Sequence, residues 1–225
     1  PRNQPPGAER YLSNKSDIPK AQQDALLHFQ PCAPEILRQL ADAPSREVRS
    51  LVAANPSVNV ATLEKLLGDK EPGVRAFIAT NPHTPHSILL ELKHDPDKNV
   101  QWCLPGNPNW SPDEIRQMYK DKATSPSVFA KNSSTPPDIL EDLSRAGDYS
   151  VRIALANNHA IPQTVVRVLA KNGDSSVKGM LTNNKATSEN VLKELAHDPD
   201  PEVRRYATNS LNRMIQTKSS VEKQH

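Results

Sequence analysis

The chain has 225 residues, 36% apolar and 24% charged, enough apolar material for a packed interior. Its 28 basic and 26 acidic side chains leave a formal charge of +2, too weak for the salt-sensitive phosphate attraction of a dedicated nucleic-acid binder. No apolar run approaches the roughly 20 residues of a membrane span. The opening "PRNQPPGAERYLSNKSD" lacks an apolar signal core, so a soluble, cytoplasmic protein without a membrane partner is expected. Two cysteines, Cys32 and Cys103, give neither a disulfide framework nor a clustered metal spacing, which fits a reducing compartment.

Residues 1–17 are polar and lack periodicity, so a mobile segment is expected there. Residues 22–47 read as a degenerate first repeat that caps an array. From residue 48 the pattern is explicit. Val48, Val74, Val100, Val151, Val177 and Val203 are spaced by 26 or 51 residues, and the 51-residue gap holds a copy that starts at Ser125. Seven residues after every start but the last stands an asparagine: Asn55, Asn81, Asn107, Asn132, Asn158 and Asn184.

Within each copy, the fourth residue after the start is apolar (Val52, Ile78, Leu104, Phe129, Leu155, Leu181, Ala207), a helical spacing. Pairs such as Leu63 and Leu66, or Leu89 and Leu92, mark a second helix. Between them lies a breaker such as "NPHTP", where Thr84, Ser111 or Thr135 is placed to cap the next helix, and Ser111 with Glu114 forms a capping box. A second breaker, "DPD" or "DKEPG", turns the chain into the next copy. Each unit thus reads as a helix of about two turns, a proline turn, a longer helix and another turn. One such hairpin cannot bury its own apolar face, so neighbours stack. The expected fold is all-α, an α-solenoid of about seven 26-residue two-helix repeats in one domain over 18–213, with a mobile tail at 214–225.

The motif "VRxxxAxNPxTPxxxLxxL", clearest at 74–92, resembles the leucine-rich repeat variant family, a relative of the HEAT repeats, over roughly 48–212. The resemblance implies a right-handed superhelix in which an α-helix alternates with a short 3₁₀-type helix. Some members carry an amino-terminal cysteine cluster that holds an iron–sulphur centre. Cys32 and Cys103 alone cannot supply its four thiolates, so no cofactor is expected.

A basic residue follows the start in most copies: Arg49, Arg75, Arg152, Lys178 and Arg204, with Gln101 as the exception. Such a column could track phosphates, and it is the alternative, nucleic-acid-binding reading. The preceding aspartates, Asp69 before Arg75 and Asp198 before Arg204, instead suggest internal pairing, similar to the aspartate–arginine ladder of HEAT repeats. His83, His86 and His94 are read as surface residues and no metal site is expected, because no cysteine or acidic ligand stands at a matching spacing. Cys103 shares a column with Leu51, Phe77 and Met180 and reads as a small buried residue.

The departures from the pattern carry the functional expectation. Trp102 falls in a varied column (Ser50, Ala76, Ser127, Ile153, Gly179, Arg205), Trp110 in a threonine column, and Tyr119 where Lys93 and Ser144 stand. Lys120, Lys122 and Lys131 lie nearby. Aromatics beside cations are typical of binding hot spots. With no phosphate loop, nucleophile elbow or paired carboxylates, the sequence reads as a non-enzymatic scaffold that binds a protein or peptide through these six residues.

Overall fold

A computed structural model describes residues 11–12 and 18–222, with side chains to 216. The chain divides into two compact units, one ending at Trp110 and the other starting at Ser111. The expected mobile ends fall mainly on residues 1–10 and 13–17 and on the side chains of 217–225, outside the described residues. Leu12, within the first of these segments, is fully buried.

In the first unit, α1 (Lys20–Leu27) and α2 (Pro34–Leu40) form the degenerate copy and bury Leu26, Leu37 and Leu40. Then come α3 (Arg46–Ala54) with α4 (Val60–Leu67), α5 (Pro72–Thr80) with α6 (His86–Leu92), and α7 (Lys98–Cys103). In the second unit, α8 (Pro112–Lys120) is followed by α9 (Pro126–Lys131) with α10 (Pro137–Ala146), and α11 (Tyr149–Asn157) with α12 (Gln163–Asn172). The last pair is α13 (Ser175–Asn183) with α14 (Glu189–Leu195), before α15 (Pro201–Glu222). The described residues contain no strand. First helices stack on first helices, α3 on α5 on α7 in one unit and α9 on α11 on α13 on α15 in the other. This is the α-solenoid arrangement, built in each unit from the expected two-helix repeats.

Two local expectations are corrected. The helices of a pair are both α-helical, and the first is often the longer; the described 3₁₀ element is Leu104–Gly106, where Pro105 interrupts α7. Ser111 does cap α8 through a capping box with Glu114, but Thr84 and Thr135 cap nothing. Their buried hydroxyls turn back to the carbonyls of Ile78 and Phe129 at 2.6 and 2.7 Å, tying the turn to the helix before it. Prolines 85 and 136 take the N-cap positions.

The asparagine column is the internal brace of both units. Asn81 is buried, and its Nδ2 donates to the carbonyls of Ala53 and Asn55 at 2.7 and 3.2 Å, while its Oδ1 accepts the His83 amide at 2.9 Å. Asn107 repeats this on Ala79 and Asn81 at 2.8 Å each. In the second unit Asn158 donates to Ala130 and Asn132, and Asn184 to Ala156 and Asn158. Each carboxamide therefore closes its own turn and satisfies two carbonyls that the preceding helix leaves open at its end.

Asn81→Ala leaves those buried groups unpaired and is expected to cost about 2–4 kcal/mol in urea unfolding. Asn81→Asp, which has no donor and buries a charge, is expected to cost at least as much; a variant as stable as the wild type would remove the brace.

Candidate functional site

Helical geometry decides which columns can reach a partner. Taking the repeat start as zero and about 100° per residue, the buried positions at the start, plus four and plus five centre near 60°. Plus five is the Ala53, Ala79, Ala130 and Ala156 column, each at most 1% exposed. The basic column at plus one lies only about 40° from that centre, whereas plus two and plus six lie about 140–180° away and face solvent; plus three, about 120° away, is mixed, with Leu51 and Ala154 buried and Phe77 exposed.

The basic column is accordingly sheltered in most copies, Arg204 in the last being exposed. Arg49 is 8% exposed and grips the Asp69 carboxylate at 2.5 and 3.0 Å; Arg75 grips Asp95 at 2.6 and 2.9 Å; Lys178 reaches Asp198 at 2.8 Å. The carboxylate partner thus stands twenty residues ahead of the base. The residue six before it gives a backbone carbonyl instead: Asp69 to Arg75, and Asp198 to Arg204. Arg152 has only the Gly147 carbonyl among its described partners, and its Nε is buried without a hydrogen bond, because residue 172, twenty ahead, is asparagine.

Burial alone would raise the Asp69, Asp95 and Asp198 carboxyls, but the basic partners and backbone N–H groups hold them below the usual aspartate range. A lowered folded value means that the stabilisation is present above the unfolded value near 4 and is lost as the pH falls through the folded one. The melting temperature is therefore expected to be flat from pH 7 to about 5 and to drop below about 4. Asp95→Asn should lower it at pH 7 and shallow the acid limb. Arg75→Ala is expected to be destabilising, with a coupling to Asp95 of about 1.5–3 kcal/mol in a double-mutant cycle. Additive single effects would mean that the pair does not brace the repeat.

The aromatic candidates separate sharply. Trp102, on α7 at plus two, is 52% exposed. Trp110 is 3% exposed, and its indole N–H donates to the Leu104 carbonyl at 2.7 Å, which is the bond that Thr84 and Thr135 make in their copies. His86 meets its ring edge-on and Lys93 lies 5.7 Å from its centroid. The tryptophan thus replaces a threonine in a buried tie and offers no surface to a partner. Tyr119 is half-buried, edge-on to Phe129, and donates to Asp142 at 2.6 Å; burial first, then that carboxylate, push its hydroxyl up to about 12.

Lys120, Lys122 and Lys131 are exposed in the second unit. Lys122 has φ 52 and ends α8 by donating its amide to Tyr119, with Ala123 returning to Met118. A lysine there holds a left-handed backbone that glycine adopts freely, so Lys122→Gly is expected to stabilise by about 0.5–1 kcal/mol in thermal unfolding.

The sequence reading missed Phe77, which is 40% exposed, and it placed Cys103 in the interior when it is half-buried. Both stand at plus three, a column that also holds the buried Leu51 and Ala154, so spacing alone does not mark them. Burial pushes both thiols up, so they stay protonated at neutral pH. The described residues contain no group of three metal-ligating side chains and no helix long and apolar enough to cross a membrane.

The HEAT repeat family matches residues 190–217, the end of the array. A solved structure described as a leucine-rich repeat variant with a novel repetitive protein structural motif is 21% identical, with a TM-score of 0.43, over 91% of this chain and 80% of that one. No curated protein matches.

Proposed function

We propose that this HEAT-like chain is a non-enzymatic scaffold that binds a protein or peptide partner, with Trp102 as the anchor in the first unit. The observation that carries the reading is the contrast between the two tryptophans: one is sealed in a structural tie, while the other stands 52% exposed in a column of otherwise varied side chains. Phe77 is exposed on α5, which packs directly against α7, so the outward side of these stacked helices is apolar on successive repeats. An exposed large aromatic is costly to leave in water and enriched at binding hot spots.

The phosphate-tracking alternative is disfavoured because Arg49, Arg75 and Lys178 are committed to carboxylates within the fold. Lys120, Lys122 and Lys131 remain exposed charges in the second unit. They would tune the association rate more than the affinity.

Trp102→Ala is expected to abolish capture of the native partner while leaving helicity and melting temperature unchanged, whereas Trp110→Ala should cost about 3–5 kcal/mol of stability. Acrylamide quenching should be strong for Trp110→Phe and weak for Trp102→Phe. Duplex binding that persists at physiological salt, together with capture unaffected by Trp102→Ala, would replace this reading with the basic column.

A further inference from the structure

The second unit repeats asparagine at a position that stacking does not use. Plus six lies opposite the buried sector, and it is held there by Asn157 on α11, Asn183 on α13 and Asn209 on α15, all three exposed. Because these helices stack in that order, the side chains form an outward ladder. The first unit has Ala54, Thr80 and Gly106 at plus six, so the repeat itself does not call for a carboxamide there.

Neighbouring groups hold the first two rungs in opposite senses. Asn157 gives its Nδ2 protons to the Ile153 carbonyl at 3.0 Å and the Met180 sulphur at 3.4 Å, which leaves its Oδ1 without a described partner. Asn183 accepts the Arg213 guanidinium on its Oδ1 at 2.7 Å, which leaves its Nδ2 without one. A free acceptor is thus followed, one helix on, by a free donor. Apolar surface lies beside them: Met180 is half-buried, and the 40% exposed Tyr206 ring comes to 3.8 Å from where a Gly179 Cβ would stand.

An acceptor and a donor in one row complement the N–H and C=O of a backbone that is not using them itself. An α-helix is ruled out, since its own ladder consumes both groups. The spacing selects among extended forms, because stacked helices repeat at about 8–10 Å. A β-strand presents equivalent groups about every 6.6 Å and falls out of step. A polyproline II segment has an unpaired backbone and turns once per three residues, about 9.3 Å, so it stays in register.

We infer that the outward face of α11, α13 and α15 binds a segment of another polypeptide in the polyproline II conformation. One residue donates its N–H to Asn157, and the C=O one turn away accepts from Asn183. Asn209 stands at the third turn, and Met180 and Tyr206 pack against the proline rings that keep such a segment extended. The site lies in the other unit from Trp102 and does not depend on it.

The test is a titration of the isotope-labelled full chain with acetyl-Ala-Ala-Pro-Ala-Ala-Pro-Ala-Ala-Pro amide, followed by backbone and side-chain amide shifts. Saturable shifts at Asn157, Asn183 and Asn209, with millimolar or tighter affinity, are expected. Asn157→Ala and Asn183→Ala, each with wild-type circular dichroism, should weaken binding about two- to tenfold, the loss of one neutral hydrogen bond. Trp102→Ala should leave it unchanged. The analogue with lactate in place of each alanine, whose ester oxygens replace the N–H groups, should bind more weakly than the parent. No saturable shifts, shifts centred on Phe77 and Trp102, a loss in Trp102→Ala, equal binding of the ester analogue, or an unchanged affinity in either asparagine variant would each overturn the inference.

Discussion

The structure depends on a buried carboxamide that spans two repeats. A helix that stops after two turns exposes carbonyls at its end, and a chain that stops in every repeat must satisfy them within the fold. Asparagine does this where alanine or leucine cannot, since one side chain both accepts from its own turn and donates to the turn before. Asn81 and Asn107 form consecutive rungs in the first unit, and Asn158 and Asn184 in the second. The donor lands on two carbonyls at once, so a rung fixes the distance and the phase of its neighbour. A repeat built this way tolerates wide variation elsewhere, and the column at plus two carries serine, alanine, tryptophan, serine, isoleucine, glycine and arginine in turn.

The charged rungs add a second brace of the same kind. Arg75 is held by a carboxylate at the end of its own repeat and by the Asp69 carbonyl at the end of the repeat before, with Asp95 also accepting the Asp97 amide at 2.8 Å. Such bonds are strong because both partners are sheltered: their side chains are 11% and 3% exposed. Where the aspartate of this turn is replaced, the brace lapses: residue 172, twenty ahead of Arg152, is asparagine, and Arg152 keeps its backbone bond alone. Gly173 beside it lies so close that a Cβ would stand 2.5 Å from the Leu169 carbonyl and 2.8 Å from Val177 Cγ1. Packing takes over where the ion pair is missing.

The repeat length, the helix pairs and the core were legible because each rests on periodic apolar spacing, and a stacked fold needs no long-range information to predict its next copy. The internal role of the basic column was legible through its regular aspartates, although the true carboxylate is twenty residues ahead and not six behind. What was not legible was which aromatic faces water. Trp102 and Trp110 both interrupt the pattern, and the sequence read them as one surface cluster. They differ because Trp110 substitutes for a hydroxyl donor whose bond lies inside the turn, a function an indole N–H can take over. The threonine column looked like helix capping, and that misreading hid the buried role of its replacement. The lines between helix lengths were equally obscured, since a proline marks where a helix starts more firmly than where it ends.

Once the asparagine and arginine columns are fixed by stacking, a repeat has little left with which to differ from its neighbours except the outward positions. The two units use them differently. In the first, Phe77 and Trp102 place aromatic surface on successive helices, while plus six is Thr80 and then Gly106. In the second, plus six is Asn157 and then Asn183, and of its exposed aromatics Tyr149 is 52% exposed while the Arg205 guanidinium lies 4.9 Å from the Tyr206 ring. A cation so placed keeps an aromatic soluble without hiding it from a partner, because the cation can move aside at a cost of about 0.5–1 kcal/mol at an exposed site. Identical internal braces thus support two chemically distinct outer surfaces, and it is on those surfaces, not in the repeated columns, that specificity has room to evolve.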